Sequence, residues 1–326
     1  MAWFRLIRWQ NLLIIFFTQY IAWNFVLEPQ RIAHSSRLFF NVDFLNFLCI
    51  SLSTILIAAA GYIINDYFDV NIDQINHPNK VLLGNKIHLR EGIKAHLFLN
   101  FIALCLSSYV AYTSHHLEWI LVQVACITLL WYYSTHFKRQ LLVGNIVVAL
   151  LVALTMVVLV VYQPFLHGIS TDVQPIIHSL SEVNYSFAIA QSFIPAWVFG
   201  IYTYFAFMLT LIREIVKDIE DFKGDEKEGC HTLPIVMGIR FARRTILVIT
   251  ILTITSLIFS AIFLFAFHYY LLAGYFSSLL ILPLLIWVIY LFKSKDVSHY
   301  HKASQGLKII MVLGICTLII YHYQLN

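Results

Sequence analysis

Two acidic stretches of this 326-residue chain have the residue types and spacing of divalent-cation ligands. The first reads Asn65-Asp66-Tyr67-Phe68-Asp69-Val70-Asn71-Ile72-Asp73, so Asn65, Asp69 and Asp73 recur at i, i+4 and i+8. On a helix those oxygens rise along one face, with Asp66 beside them. The second stretch holds Glu214, Asp218, Asp221 and Asp225 at i, i+4, i+7 and i+11, again one helical face. Carboxylates stacked in this way repel one another unless a cation sits between them. Hard oxygen donors select magnesium or calcium, and magnesium takes one or two carboxylates, keeps waters and shares its shell with substrate phosphates. Two such faces set opposite each other would grip a diphosphate through paired metal ions and neutralise it as its bond to carbon breaks. Lys80, Lys138, Arg139, Arg213 and Lys217 lie in loops on the same side and could finish that neutralisation. Arg213 and Lys217 could instead hold a phosphate on an acceptor.

The elements that must position these residues are membrane helices. Of the chain, 60% is hydrophobic and only 12% charged, against about 25% charged in a soluble domain. Apolar runs of about 18 residues or more, the length a bilayer demands of a helix, recur along the whole sequence. Nine spans are expected, at about 9–27, 45–64, 95–113, 117–135, 141–162, 193–212, 245–267, 270–292 and 305–322. They form one polytopic membrane domain over 1–326 with no separate soluble domain. Arg5 and Arg8 precede the first apolar run and no small-residue cleavage site follows it, so that run reads as a retained helix.

Lys and Arg set the orientation. With the N-terminus in the cytoplasm, the outside loops hold only Arg31 and Arg37, and Lys308 lies just within the last span. All other basic residues fall inside, which puts the C-terminus outside the cell membrane. The net charge of +4 is therefore a topology signal and gives no reason to expect a nucleic-acid partner. Both acidic stretches fall on the cytoplasmic side, four spans apart, at matching places in two four-helix halves with the ninth span left over. An allylic diphosphate suits this layout: a charged head for the cytoplasmic loops and an apolar tail for the bilayer. Aromatic faces could stabilise the allylic cation left by ionisation. The loop over 163–192 has no Lys or Arg and reads as a surface loop or a short interfacial helix.

Other readings weigh less. Cys49, Cys105, Cys126, Cys230 and Cys316 include no C-x-x-C pair and read as small packing residues. His299 and His301, like His115 and His116, read as interfacial histidines and not as metal ligands. A transporter is the rival class, since intramembrane carboxylates often mark ion paths. Carriers place such charges near the midplane, whereas both clusters here fall at helix ends. A lipid-binding scaffold would have no need of intact metal-ligand spacing.

At these residues the sequence resembles the UbiA-type intramembrane prenyltransferases. Asn65, Asp66, Asp69 and Asp73 match that family's N-D-x-x-D-x-x-x-D motif, and Asn76-His77-Pro78-Asn79-Lys80 is similar to the N-x-P-x-[RK] segment after it. Asp221 and Asp225 match the second motif, D-x-x-x-D. Tyr133-Ser134 with Lys138-Arg139 and Gly144-Asn145 is similar to the family's Y-S-x-x-x-K-R…G-N. Arg8-Trp9-Gln10-Asn11 stands where R-P-x-N is usual, with Trp9 in place of proline and His77 in place of a common base. The string from Arg213 to Asp225, then Gly229 and Thr232-Leu233-Pro234, looks most like the geranylgeranyltransferases that act on geranylgeranylglyceryl phosphate in ether-lipid synthesis. Related strings occur in enzymes that prenylate aromatic acceptors for quinones or chlorophyll.

The resemblance implies an all-α bundle of nine transmembrane helices around a central cavity open to lipid, and magnesium-dependent transfer of a prenyl group, geranylgeranyl by the closer match, to a lipid acceptor or alternatively an aromatic one. It implies Asn65, Asp69, Asp73, Asp218, Asp221 and Asp225 as metal ligands, and a catalytic set of Asp66, Asp69, Asp73, Asp218, Asp221 and Asp225. It also implies Asn11, Lys80, Tyr133, Lys138, Arg139, Asn145, Arg213 and Lys217 at the substrates. If the acceptor is a hydroxyl, Asp66 or Glu214 is the candidate base for its proton.

Overall fold

The computed structural model describes residues 1–27, 40–76, 78, 81–162, 182–293 and 297–325, with side chains described for all of these except 40–43, 182–197 and 325. Nine helices among the described residues are long and apolar enough to cross a membrane. They are α1, Trp9–Ala22, closing in a π-helical turn at Trp23–Leu27; α2, Phe40–Phe68; α3, Leu89–Thr113; α4, Ile120–Thr135, entered through a 3-10 turn at Leu117–Trp119 that completes the span; α5, Val143–Val161; α6, Glu182–Glu220; α7, Ile239–Ala266; α8, from Tyr270 to Lys293; and α9, Val297–Leu325. No strand occurs among the described residues. The protein is an all-α, multi-pass membrane protein, as its composition requires.

The helices overrun the apolar runs at both ends, the charged end included. Helix α2 continues to Phe68 and α6 to Glu220, while α7 and α9 start at Ile239 and Val297. The reason is physical: charge ends the hydrocarbon-compatible stretch but not the hydrogen-bond ladder, which goes on into the interface. Residues 163–181 of the polar loop lie outside the described residues, and from Glu182 the chain is already helical. Helix α8 passes through a π-helical stretch, Phe276–Ile281, just before Pro283. Proline cannot donate to the carbonyl four residues back, and a π-bulge is one way a helix absorbs that.

Packing runs α2 against α3 and α4, α5 against α6, and α6 against α7 and α9; α9 in turn meets α1 and α8. Alanines 59, 60, 103, 149 and 153 are buried between neighbours and let these helices approach closely. One buried cluster joins α6 to α9 through Ile212, Ile215, Leu257, Leu284 and Leu307. Another, around Trp23, Phe47, Ile50, Leu159 and Tyr162, closes the other end of the first half. Phe98 and Phe101 on α3 and Phe259 and Ile262 on α7 stand exposed, a surface that suits lipid and not water.

Candidate active site

A cavity of about 840 Å³ runs into the bundle from the charged end, in the upper part of the range for ligand pockets. Its lining comes from α1, α2, α4, α5, α6 and α9 and the loops that join them; α3, α7 and α8 buttress it from outside and contribute no lining residue. The mouth is charged. Deeper, Ile15, Ile57, Leu130, Val148, Leu151, Val152 and Val158 line it with hydrocarbon.

Both acidic stretches reach this cavity, and both are held by helix. After Phe68 the chain turns at Asp69 and resumes as the short helix Val70–Asn76, yet the amides of Asp69 and Asp73 still donate to the carbonyls of Asn65 and Asp69, at 3.0 and 2.8 Å. The i, i+4, i+8 face therefore survives the break. On the other side, Asp221 follows α6 and begins the short helix Phe222–Lys227, which carries Asp225. The two stretches are stapled by one side chain: the Asn76 amide donates to the Asp221 carbonyl at 3.1 Å, and its oxygen accepts from the Gly224 amide at 2.9 Å. A Cβ on Gly224 would lie 2.4 Å from that amide, so only glycine permits the staple.

Lys138 brings a cation to the carboxylates. Its ammonium donates to Oδ2 of Asp69, the oxygen that also accepts from the Asn65 amide at 2.6 Å. Asp69 is only 3% exposed. Burial works against the charge on Lys138, but Asp69 beside it holds the ammonium above the ordinary lysine range. The backbone puts Lys138 there through Gly144, whose Cβ would meet the Phe137 carbonyl oxygen at 2.8 Å and the Lys138 Cα at 2.9 Å. Next to Gly144, Asn145 donates to Asp218 at 2.8 Å and so ties α5 to α6.

The remaining carboxylates are crowded. Burial and the neighbouring Asp69 push Asp73 up to about 6, and burial with Asp221 nearby pushes Asp225 up to about 7. Negative charge in this corner is thus under-compensated, and a divalent cation held by these carboxylates would offset it. Among the described residues no three carboxylate, imidazole or thiol groups converge as a ready-made cage.

Of the residues expected at the site, Asn11, Asn65, Asp66, Asp69, Asp73, Tyr133, Lys138, Asn145, Arg213, Lys217, Asp218, Asp221 and Asp225 all line the cavity. Arg139 does not. The tight turn Phe137–Arg139 sends consecutive side chains to different sides, so Arg139 is exposed away from the lining, and its carbonyl accepts from the His231 amide at 2.8 Å. Lys80 lies outside the described residues. The candidate bases are both engaged: Asp66 accepts from Arg8 at 2.7 Å, and Glu214 accepts from Arg213 and Lys217, both at 2.8 Å. Arg8 takes a left-handed backbone, φ 51°, at the start of α1, and its guanidinium also lies 4.8 Å from the Tyr62 ring.

The sequence reading missed the contribution of α9. His301, Ser304, Gln305 and Lys308 line the cavity, and His301 meets Glu220 at 2.8 Å. Their i, i+3, i+4, i+7 spacing places them on one face of α9, which was the available signal.

The model of the UbiA prenyltransferase family matches residues 36–312. The chain belongs to the UbiA prenyltransferase family. A relative named digeranylgeranylglyceryl phosphate synthase, from Methanosphaera stadtmanae, is 29% identical over 270 residues, 82% of this chain and 83% of its own. Among solved structures, one from a study of digeranylgeranylglyceryl phosphate synthase in membranes superposes with a TM-score of 0.58 at 22% identity, covering 98% of this chain and 97% of the other. A UbiA homologue from Archaeoglobus fulgidus bound to GPP and Mg2+ superposes with a TM-score of 0.54 at 14% identity, over 98% of this chain and all of the other, 100%. At those identities the likeness speaks for the UbiA fold. Family membership makes the protein a prenyltransferase and sets the transporter reading aside.

Proposed function

We propose that this prenyltransferase moves a geranylgeranyl group from geranylgeranyl diphosphate to the free hydroxyl of geranylgeranylglyceryl phosphate, with magnesium held at the two acidic stretches. The observation that carries this reading is a single cavity with both carboxylate faces and Lys138 at its mouth and hydrocarbon in its depth. A substrate with a diphosphate head and a long apolar tail matches both ends at once. The name of the Methanosphaera relative, and the Archaeoglobus structure with GPP and Mg2+, support the acceptor and the metal.

Asn65, Asp69 and Asp73 would hold one ion, and Asp218, Asp221 and Asp225 the other. When bound, magnesium supplies positive charge to the leaving diphosphate oxygens. Lys138, at the same end of the cavity, would add a further cation, and Asn76 keeps the two carboxylate faces in register. The C1–O bond of the donor breaks with its electron pair left on the diphosphate. A lone pair of the acceptor oxygen forms the ether bond to C1, and the hydroxyl proton is lost. Asp66, held by Arg8, and Glu214, held by Arg213 and Lys217, are the candidates to receive it. O-alkylation that persists in the double variant Asp66→Asn, Glu214→Gln would remove both from that role.

The whole chain acts as one membrane domain, with the acidic loops and the N-terminus in the cytoplasm and the C-terminus outside the cell membrane, as the distribution of Lys and Arg supports. Incubation of the purified protein with labelled geranylgeranyl diphosphate and a panel of acceptors tests the function. The expected product is a labelled ether formed with geranylgeranylglyceryl phosphate. Transfer to an aromatic acceptor alone would replace this reading with the quinone or chlorophyll type.

A further inference from the structure

The cavity holds a group of cations that the diphosphate chemistry leaves unused. Lys308 lies just within the apolar run of α9, and an ionisable side chain that faces the bundle interior there marks a candidate functional site. It lines the cavity, and its bonded partner is a neutral amide, Oδ1 of Asn11 on α1, at 2.5 Å. No carboxylate lies within ion-pairing distance of Lys308 among the described residues. The charged neighbour that acts on it is Arg213, another cation. Arg213 and Lys217 share a single carboxylate, Glu214, and Nε of Arg213 is buried without a hydrogen-bond partner. Three cations thus face one carboxylate in a partly buried corner, with donors to spare.

We propose that Lys308, with Arg213, Lys217 and Asn11, forms a second anion site that holds the phosphate monoester of the acceptor, separate from the diphosphate site at Asp69 and Lys138. A phosphate monoester carries about two negative charges and three acceptor oxygens near neutral pH, which matches an excess of two cations and donors from three helices. This deepens the acceptor assignment and rests on it. It also names what Lys308 does: it distinguishes a phosphorylated lipid from its alcohol, because binding the alcohol would leave these buried donors unpaired.

The test uses full-length protein in lipid nanodiscs. Intrinsic tryptophan fluorescence follows binding of a prenylglyceryl phosphate, with the same prenylglycerol lacking phosphate and with inorganic phosphate as separate ligands. Turnover gives kcat/KM for the two lipids. The wild type is expected to bind the phosphorylated lipid more tightly than either comparison ligand. Lys308→Met is expected to weaken that binding about tenfold or more and to lower the kcat/KM ratio of phosphate to alcohol by a similar factor, while Lys308→Arg restores part of both. Unchanged binding in Lys308→Met, equal losses with both lipids, or inorganic phosphate binding as tightly as the lipid would each overturn the proposal. A wild type that binds the phosphorylated lipid through Lys308 yet does not prenylate it would leave the site standing and refute the acceptor assignment instead.

Discussion

At the scale of single residues, the account turns on how few side chains hold the two carboxylate faces together. Asn76 makes two hydrogen bonds to the second stretch from the end of the first, across 145 and 148 residues of sequence. At about 1 kcal/mol per bond, Asn76→Ala should lower activity about tenfold at limiting magnesium and recover most of it in excess magnesium, as a titration of diphosphate release would reveal. Full activity at limiting magnesium would show that the staple is idle. Lys138→Met should raise KM for the prenyl diphosphate and lower kcat, because the cation beside the leaving group is gone. The carboxylates themselves were legible from type and spacing, since i, i+4, i+8 on a helix fixes their face without any tertiary knowledge. The staple was not. Asn76 stood in a recognisable string, but its partners are the Asp221 carbonyl and the Gly224 amide, and backbone groups leave no mark on sequence spacing. Lys138 and Arg139 were indistinguishable for a similar reason: a single tight turn decides which of two adjacent bases faces the cavity.

At the scale of elements, close backbone approach positions the chemistry. Helix α5 starts against the Phe137–Lys138 backbone, and the missing side chain of Gly144 makes that contact possible. Gly144→Val should cost about 1–3 kcal/mol by overpacking, read as a lower thermal midpoint in detergent, with activity lost beyond what the instability explains because Lys138 moves off Asp69. An unaltered midpoint would contradict the packing. Asn145→Leu should loosen α5 from Asp218 and lower activity with less effect on stability. The nine helices were readable from apolar run length. Their ends were not, because hydropathy reports where hydrocarbon stops, while the backbone ladder of α2 and α6 continues to Phe68 and Glu220. Those overruns matter, since they carry Asn65, Asp66, Arg213, Lys217 and Asp218. The polar stripe of α9 was likewise present in the sequence but hidden among other polar residues of its first turns, Ser298, His299 and Lys302.

At the scale of the whole molecule, six helices among the described residues line the cavity and three brace them, which gives it a charged mouth and an apolar interior. Reporter fusions at the two termini should read inside at the N-terminus and outside at the C-terminus; the same side for both would overturn the orientation. The most direct test of the central claim is diphosphate release by purified protein supplied with geranylgeranyl diphosphate and geranylgeranylglyceryl phosphate. Release should require magnesium and should match ether product mole for mole. It should fall by about a thousandfold in both Asp69→Ala and Asp225→Ala variants that still fold and insert. Release that persists in the presence of a chelator, or that survives in either variant, would contradict the convergence of the two acidic stretches on one diphosphate.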